Sequence, residues 1–119
     1  MPSVPTQPAV AWETLGTWSG RDSSQTESFL YEGGVLRVKW ETHLDGSKGA
    51  GKFRLTLNSA VSGRDLAVIT EEEGPGKGEG YVSEEPRPAY LLVEARGLTW
   101  SVTVEEGHAE LPGPSRPRP

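Results

Sequence analysis

The residues most suggestive of chemistry form the string Gly46-Ser-Lys-Gly-Ala-Gly51-Lys52-Phe53. It follows the phosphate-loop pattern G-x-x-x-x-G-K up to the last position, where Phe53 replaces the Ser or Thr that would hold magnesium. A phosphate loop must also open a helix, whose N-terminus receives the phosphate. Here strand-like patterns flank the string on both sides, so residues 45–52 read as a hairpin loop. A second glycine-rich stretch, Gly74-Pro-Gly-Lys-Gly-Glu-Gly80, sits among glutamates that would repel a phosphate. It reads as a long connection between strands. The chain has no cysteine, which removes thiol catalysis, cysteine-based zinc sites and disulfides. Of the two histidines, His43 stands at a strand end beside a turn and His108 in the C-terminal tail, and no G-x-S-x-G elbow is present. Neighbouring carboxylates such as Glu84-Glu85 and Glu105-Glu106 point to opposite faces of a strand and make no acid/base pair by themselves. A carboxylate pair drawn from distant strands, as glycosidases use on β folds, would make the chain a hydrolase and is an alternative that spacing leaves open. The sequence therefore predicts no enzyme and no catalytic residues.

Binding candidates are easier to name. Trp12, Trp18, Tyr31 and Tyr81 are the aromatic residues whose rings could stack on a sugar, the carbohydrate-binding alternative. Glu71, Glu72, Glu73 and Lys77 belong to an acidic stretch, 71–85, that holds six glutamates against one lysine. A loop so charged is a natural docking surface for a protein partner. Glu41 and Asp45, with Ser47, are the oxygen donors nearest to a calcium set, although the EF-hand pattern is not matched. No cofactor is expected otherwise. The net charge of −5 and the lack of a basic stripe argue against nucleic acid.

The elements that must carry these residues are strands. Apolar residues recur with period two: Leu36, Val38 and Trp40 against Arg37, Lys39 and Glu41; Phe53, Leu55 and Leu57 against Lys52, Arg54 and Thr56. Leu98, Trp100, Val102 and Val104 repeat the pattern, and 89–95 is nearly all apolar. Further strands are expected at 25–31 and 65–70, with weaker ones at 11–18 and 81–83. Gly33-Gly34, Asp45-Gly46, Ser62-Gly63 and Arg96-Gly97 punctuate the runs. One wet face per sheet is the habit of antiparallel sheets, and two such sheets must bury their apolar faces together. The predicted fold is thus an all-β, antiparallel two-sheet sandwich of seven or eight strands, spanning residues 11–106. The proline-rich segments 1–10 and 107–119 read as extended tails, and the second could serve as a peptide ligand. No run approaches the roughly 18 apolar residues of a membrane span, and 1–10 lacks the basic start of a signal peptide.

The order Trp18-Ser-Gly20, Thr26-x-x-Phe29, Leu36-Arg-Val-Lys-Trp40, Gly51-x-Phe53-x-Leu55-x-Leu57, Tyr90-Leu-Leu-Val93 and Trp100-Ser-Val-Thr-Val104 resembles small bacterial jelly-roll modules. Those are the pre-peptidase C-terminal and CUB-like domains. The resemblance covers residues 16–106 and implies a non-catalytic accessory or interaction domain, often extracytoplasmic. The leading expectation is an interaction or structural module that docks a protein partner or an assembly.

Overall fold

The structure, a computed structural model, describes residues 9–46 and 49–110. Among them are nine strands and no helix. One sheet takes β1 (Ala9–Arg21), β9 (Leu98–Glu110), β4 (Val35–Leu44) and β7 (Gly76–Ser83), in that order. The other takes β2 (Ser24–Gln25), β8 (Arg87–Arg96), β5 (Lys52–Ser59) and β6 (Asp65–Glu73), with β3 (Phe29–Tyr31) also on β8. Every pairing is antiparallel.

β2 and β3 are two pieces of one edge strand, since Gln25 sits opposite Leu92 and Phe29 opposite Ala89. Thr26 bridges the gap: its hydroxyl accepts the Leu91 N–H at 3.0 Å. Counted as one, they leave eight strand positions whose order is that of a jelly roll, two interlocked Greek keys. The expected sandwich is the observed one. No described helix is long and apolar enough to cross a membrane.

Two loop expectations are corrected by this topology. β4 and β5 lie in different sheets, so the chain passes from one layer to the other between them, as an arch does, and 45–52 is not a hairpin loop. Asp45 N–H bonds the Gly97 carbonyl at 3.1 Å, fastening that arch to the neighbouring β8–β9 arch. The true hairpin is β5–β6, closed by Ser59 N–H on the Arg64 carbonyl at 2.9 Å.

The acidic stretch 71–85 is likewise not a loop. Glu71–Glu73 complete β6, and the glycine-rich run forms β7 along the sheet edge. The glycines alternate for a packing reason. A Cβ on Gly78 would stand 2.6 Å from Trp40 Cζ2, and one on Gly80 would stand 2.9 Å from Ile69 Cγ2. Glycine here is the hole into which Trp40 and the facing sheet's Ile69 project. The strand termini also run further than expected, β1 beginning at Ala9 and β9 reaching Glu110.

Between the sheets, Leu36, Val38, Trp40, Leu98, Trp100, Val102 and Val104 meet Phe53, Leu55, Leu57, Ala89, Leu91 and Val93. Each fully buried Leu, Val or Phe contributes roughly 1.5–3 kcal/mol. Trp100 also pins the β1–β2 turn, donating its indole N–H to the Asp22 carbonyl at 2.9 Å. Asp22 has φ of 62°, a left-handed conformation that Asp tolerates better than most residues.

Gly78→Ala should therefore lower stability by about 1–3 kcal/mol, the range for forcing extra volume into a packed site. Urea unfolding followed by tryptophan fluorescence would measure it. An unchanged midpoint would mean that the Trp40 ring is not held in this hole.

Candidate functional site

The two long sides of the sandwich differ. On one, the Gly74-Pro75 turn joins β6 to β7 and is tied to the first arch by Gly74 N–H on the Gly51 carbonyl at 2.9 Å. On the other, β1 ends one sheet and the interrupted β2/β3 strand ends the other. No ladder joins them among the described residues, and a cleft of about 420 Å³ opens between them.

The cleft's lining is mixed, with Leu15, Trp18, Phe29 and Leu30 as its apolar part. A bulge between Thr14 and Gly16 leaves Leu15 packed against the core. Trp18 lies against the backbone of Gly16, where a Cβ would fall 2.2 Å from its ring. Its ring centroid is 5.9 Å from that of Phe29. The Trp18 indole N–H reaches Glu27 Oε1 at 3.4 Å.

The rim is acidic. Glu13, Glu27 and Glu32 are exposed carboxylates around the opening, and Glu106 lies at its base. Glu106 is only 1% exposed. Its Oε2 accepts the Gly34 N–H at 2.7 Å and the Glu32 N–H at 3.0 Å. That carboxylate holds the β3–β4 connection closed, with His108 Nε2 3.6 Å away. Glu13 sits directly opposite Glu106 across the β1–β9 ladder. Like charges in that relation repel. Among the described residues no lysine or arginine lines the cleft.

The sequence candidates scatter. Tyr31 is fully buried, its hydroxyl donating to the Gly34 carbonyl and accepting the Glu84 N–H at 2.8 Å, so its ring is core rather than platform. Trp12 lies on the outer face of the first sheet, against the Gly107 backbone, with the Arg37 guanidinium 3.9 Å from its ring centroid. That leaves it little ring surface for a sugar. Arg37 is itself held by Glu105 at 2.7 Å, which together with Tyr81 raises its pKa against a smaller lowering by burial. Tyr81 is exposed on the same face and donates to Glu79 at 2.7 Å.

On β6, Glu71 approaches Arg54 at 3.4 Å, Glu73 approaches Lys52 at 4.0 Å, and Glu72 accepts from the Thr70 hydroxyl at 3.0 Å. Lys77 projects from β7 opposite Glu41. Glu41 is paired with His43 at 2.9 Å on its own strand, and Asp45 lies in the first arch. Among the described residues no three His, Asp or Glu side chains gather as a metal would need; Ser47 lies outside them. Of all the candidates, the cleft contains only Trp18. Glu13, Glu27, Glu32 and Glu106 were missed, because they lie far apart along the chain and no local pattern links them.

Fold and site together define a small jelly-roll module with an acidic, aromatic-walled seam. No protein-family model matches the chain, the pre-peptidase C-terminal and CUB-like domains included, and no curated protein sequence matches it. Among solved structures it is similar to one reported as "Bacillus endospore appendages form a novel family of disulfide-linked pili". That match has 8% identity and a TM-score of 0.47, covering 93% of this chain and 97% of that one. It is also similar to the VP2 subviral particle of infectious bursal disease virus, at 9% identity and a TM-score of 0.45. There the alignment covers 92% of this chain and 37% of the viral one.

Glu106→Leu keeps a similar side-chain volume but removes the oxygens that accept the Gly34 and Glu32 N–H groups. The loss of a buried acceptor should cost about 1–3 kcal/mol. Thermal unfolding by circular dichroism would show it, and an unaltered Tm would mean the carboxylate does not hold the β3–β4 connection.

Proposed function

We propose that the chain is a non-catalytic interaction module, and that its docking site is the β1–β3 seam. The ligand class this geometry suits best is an extended protein segment carrying arginine or lysine. One observation carries the reading: among the described residues, two unpaired sheet edges flank a cleft where Leu15, Trp18 and Phe29 meet the carboxylates of Glu13, Glu27 and Glu32, with no lysine or arginine lining it. An open edge offers unpaired N–H and C=O groups to an added strand. Leu15, Trp18 and Phe29 suit apolar side chains entering from that strand, and Glu13, Glu27 and Glu32 suit cationic ones. Glu106, the buried carboxylate at the base, is committed to two backbone donors, a positioning task rather than proton transfer.

The test is a fluorescently labelled peptide of alternating arginine and threonine, titrated with the full chain. Binding should weaken about tenfold or more from low to high salt, because exposed charges beyond a Debye length are screened. It should also fall at least tenfold in the Glu13→Lys/Glu32→Lys variant. A matched glutamate–threonine peptide should not bind. Equal binding of both peptides, or indifference to the charge reversal, would overturn the reading.

A further inference from the structure

We infer that the segment this seam accepts is residues 115–119 of a second copy of the same chain, Ser-Arg-Pro-Arg-Pro, so that copies join head to tail. The inference rests on the docking role just proposed and names its partner. Residues 111–119 lie outside the described structure, and their sequence is what matches the site.

Charge is the first match. Among the described residues the seam gathers the exposed Glu13, Glu27 and Glu32 over the buried Glu106 with no lysine or arginine lining it, and the segment places Arg116 and Arg118 two positions apart. Backbone chemistry is the second. In a strand added to an edge, successive residues turn their N–H groups alternately toward the edge and away from it. Proline has no N–H to give, so it fits only where that group would face away. Pro117 and Pro119 alternate with Arg116 and Arg118. Placing the prolines outward leaves both arginine N–H groups toward the edge and both arginine side chains on one face. Each residue before a proline is also biased toward extended backbone, so the segment loses little freedom on docking.

Reach decides between a chain's own tail and another's. β9 delivers Glu110 beside Ala9, at the start of β1. To arrive at the free edge of β1 the same chain must cross two strand spacings, roughly 10 Å or about three residues. Arg118 alone then comes level with Glu13, the Glu106 opposite it and the Glu32 that Glu106 holds, while Arg116 stops short of them, level with Ala11. The Trp18–Glu27 end of the cleft, five positions along β1, is still roughly 16 Å away at the rise of an extended strand. A second copy has no such tether, and its arginines can lie along the whole cleft. Tail and seam are different surfaces, so the contact is heterologous and repeats into a ring or an open chain.

A charge swap tests this on full-length protein. The tail variant is Arg116→Glu/Arg118→Glu, and the seam variant is Glu13→Lys/Glu32→Lys, at positions exposed in the folded chain. Analytical ultracentrifugation should show the wild type associating at high protein concentration and low salt. Each variant alone should lose that association at least tenfold, and an equimolar mixture of the two should regain it. Circular dichroism of each variant should match the wild type, so that loss of folding cannot imitate loss of assembly. A monomeric wild type, or variants that associate as it does, would overturn the inference. So would variants that fail to complement each other while a chain carrying both swaps binds its own tail. If the arginine–threonine peptide still binds the seam in any of these cases, only the self-association is wrong. If that peptide also fails, the docking role falls with it.

Discussion

Everything in this molecule depends on two one-sided sheets burying their apolar faces against each other. Leu36, Val38, Trp40 and Val102 can leave water only because Leu55, Leu57, Leu91 and Val93 face them from the opposite layer. Strand alternation makes that burial all or nothing, since a slip of one residue would turn a whole row outward. The large side chains then dictate their surroundings. Trp40 needs the side-chain-free backbone of Gly78, and the Trp100 ring lies where a Cβ on Gly20 would be 3.1 Å from it. Glycines that look like punctuation are here the counterparts of tryptophans.

The same constraint explains why one side of the sandwich opens. Where β6 passes directly into β7 through Gly74-Pro75, a short turn draws the two layers together. On the other side the Asp22-Ser23 turn joins β1 to β2 at one end, and a cleft lies between β1 and the edge strand where that strand breaks between Gln25 and Phe29. The gap could have been filled by larger apolar groups. Instead Leu15, Trp18 and Phe29 line it and carboxylates ring it, with Glu13 opposed to Glu106. A purely structural seam would not favour that opposition, because like charges directly opposite each other across a ladder cost stability. A cationic partner would relieve it, and this ties the electrostatics of the seam to the role proposed for it.

The outer surfaces tell a different story. On the first sheet, Arg37 and Lys39 reach Glu105 at 2.7 and 3.6 Å, and Arg37 covers Trp12. On the second, Arg54 approaches Glu71 at 3.4 Å and bridges to Glu94 at 3.2 Å. These cross-strand ion pairs neutralise charge locally, and the more exposed of them, Arg54 with Glu71 and Glu94, add little to stability. In the stretch 71–85, Glu71, Glu73 and Glu84 thus meet Arg54, Lys52 and Arg87, whereas among the described residues no lysine or arginine lines the seam.

The amino-acid sequence by itself determined the strands, their parity and the class of fold. Period-two alternation is a local property, visible wherever Leu36-x-Val38-x-Trp40 or Trp100-x-Val102-x-Val104 is read. It also placed Trp40 and Trp100 inside. Only the tertiary structure decided which strand joins which sheet, because a hairpin and an arch between layers use the same glycine-bearing turns. For that reason 45–52 looked like a hairpin, and the glycines of β7 looked like a loop. The burial of Tyr31 and Glu106, and the meeting of Glu13, Glu27 and Glu32 at one opening, were illegible for a related reason. Those contacts join residues scattered through the first and last thirds of the chain, and nothing local in a sequence records what stands across a gap between layers.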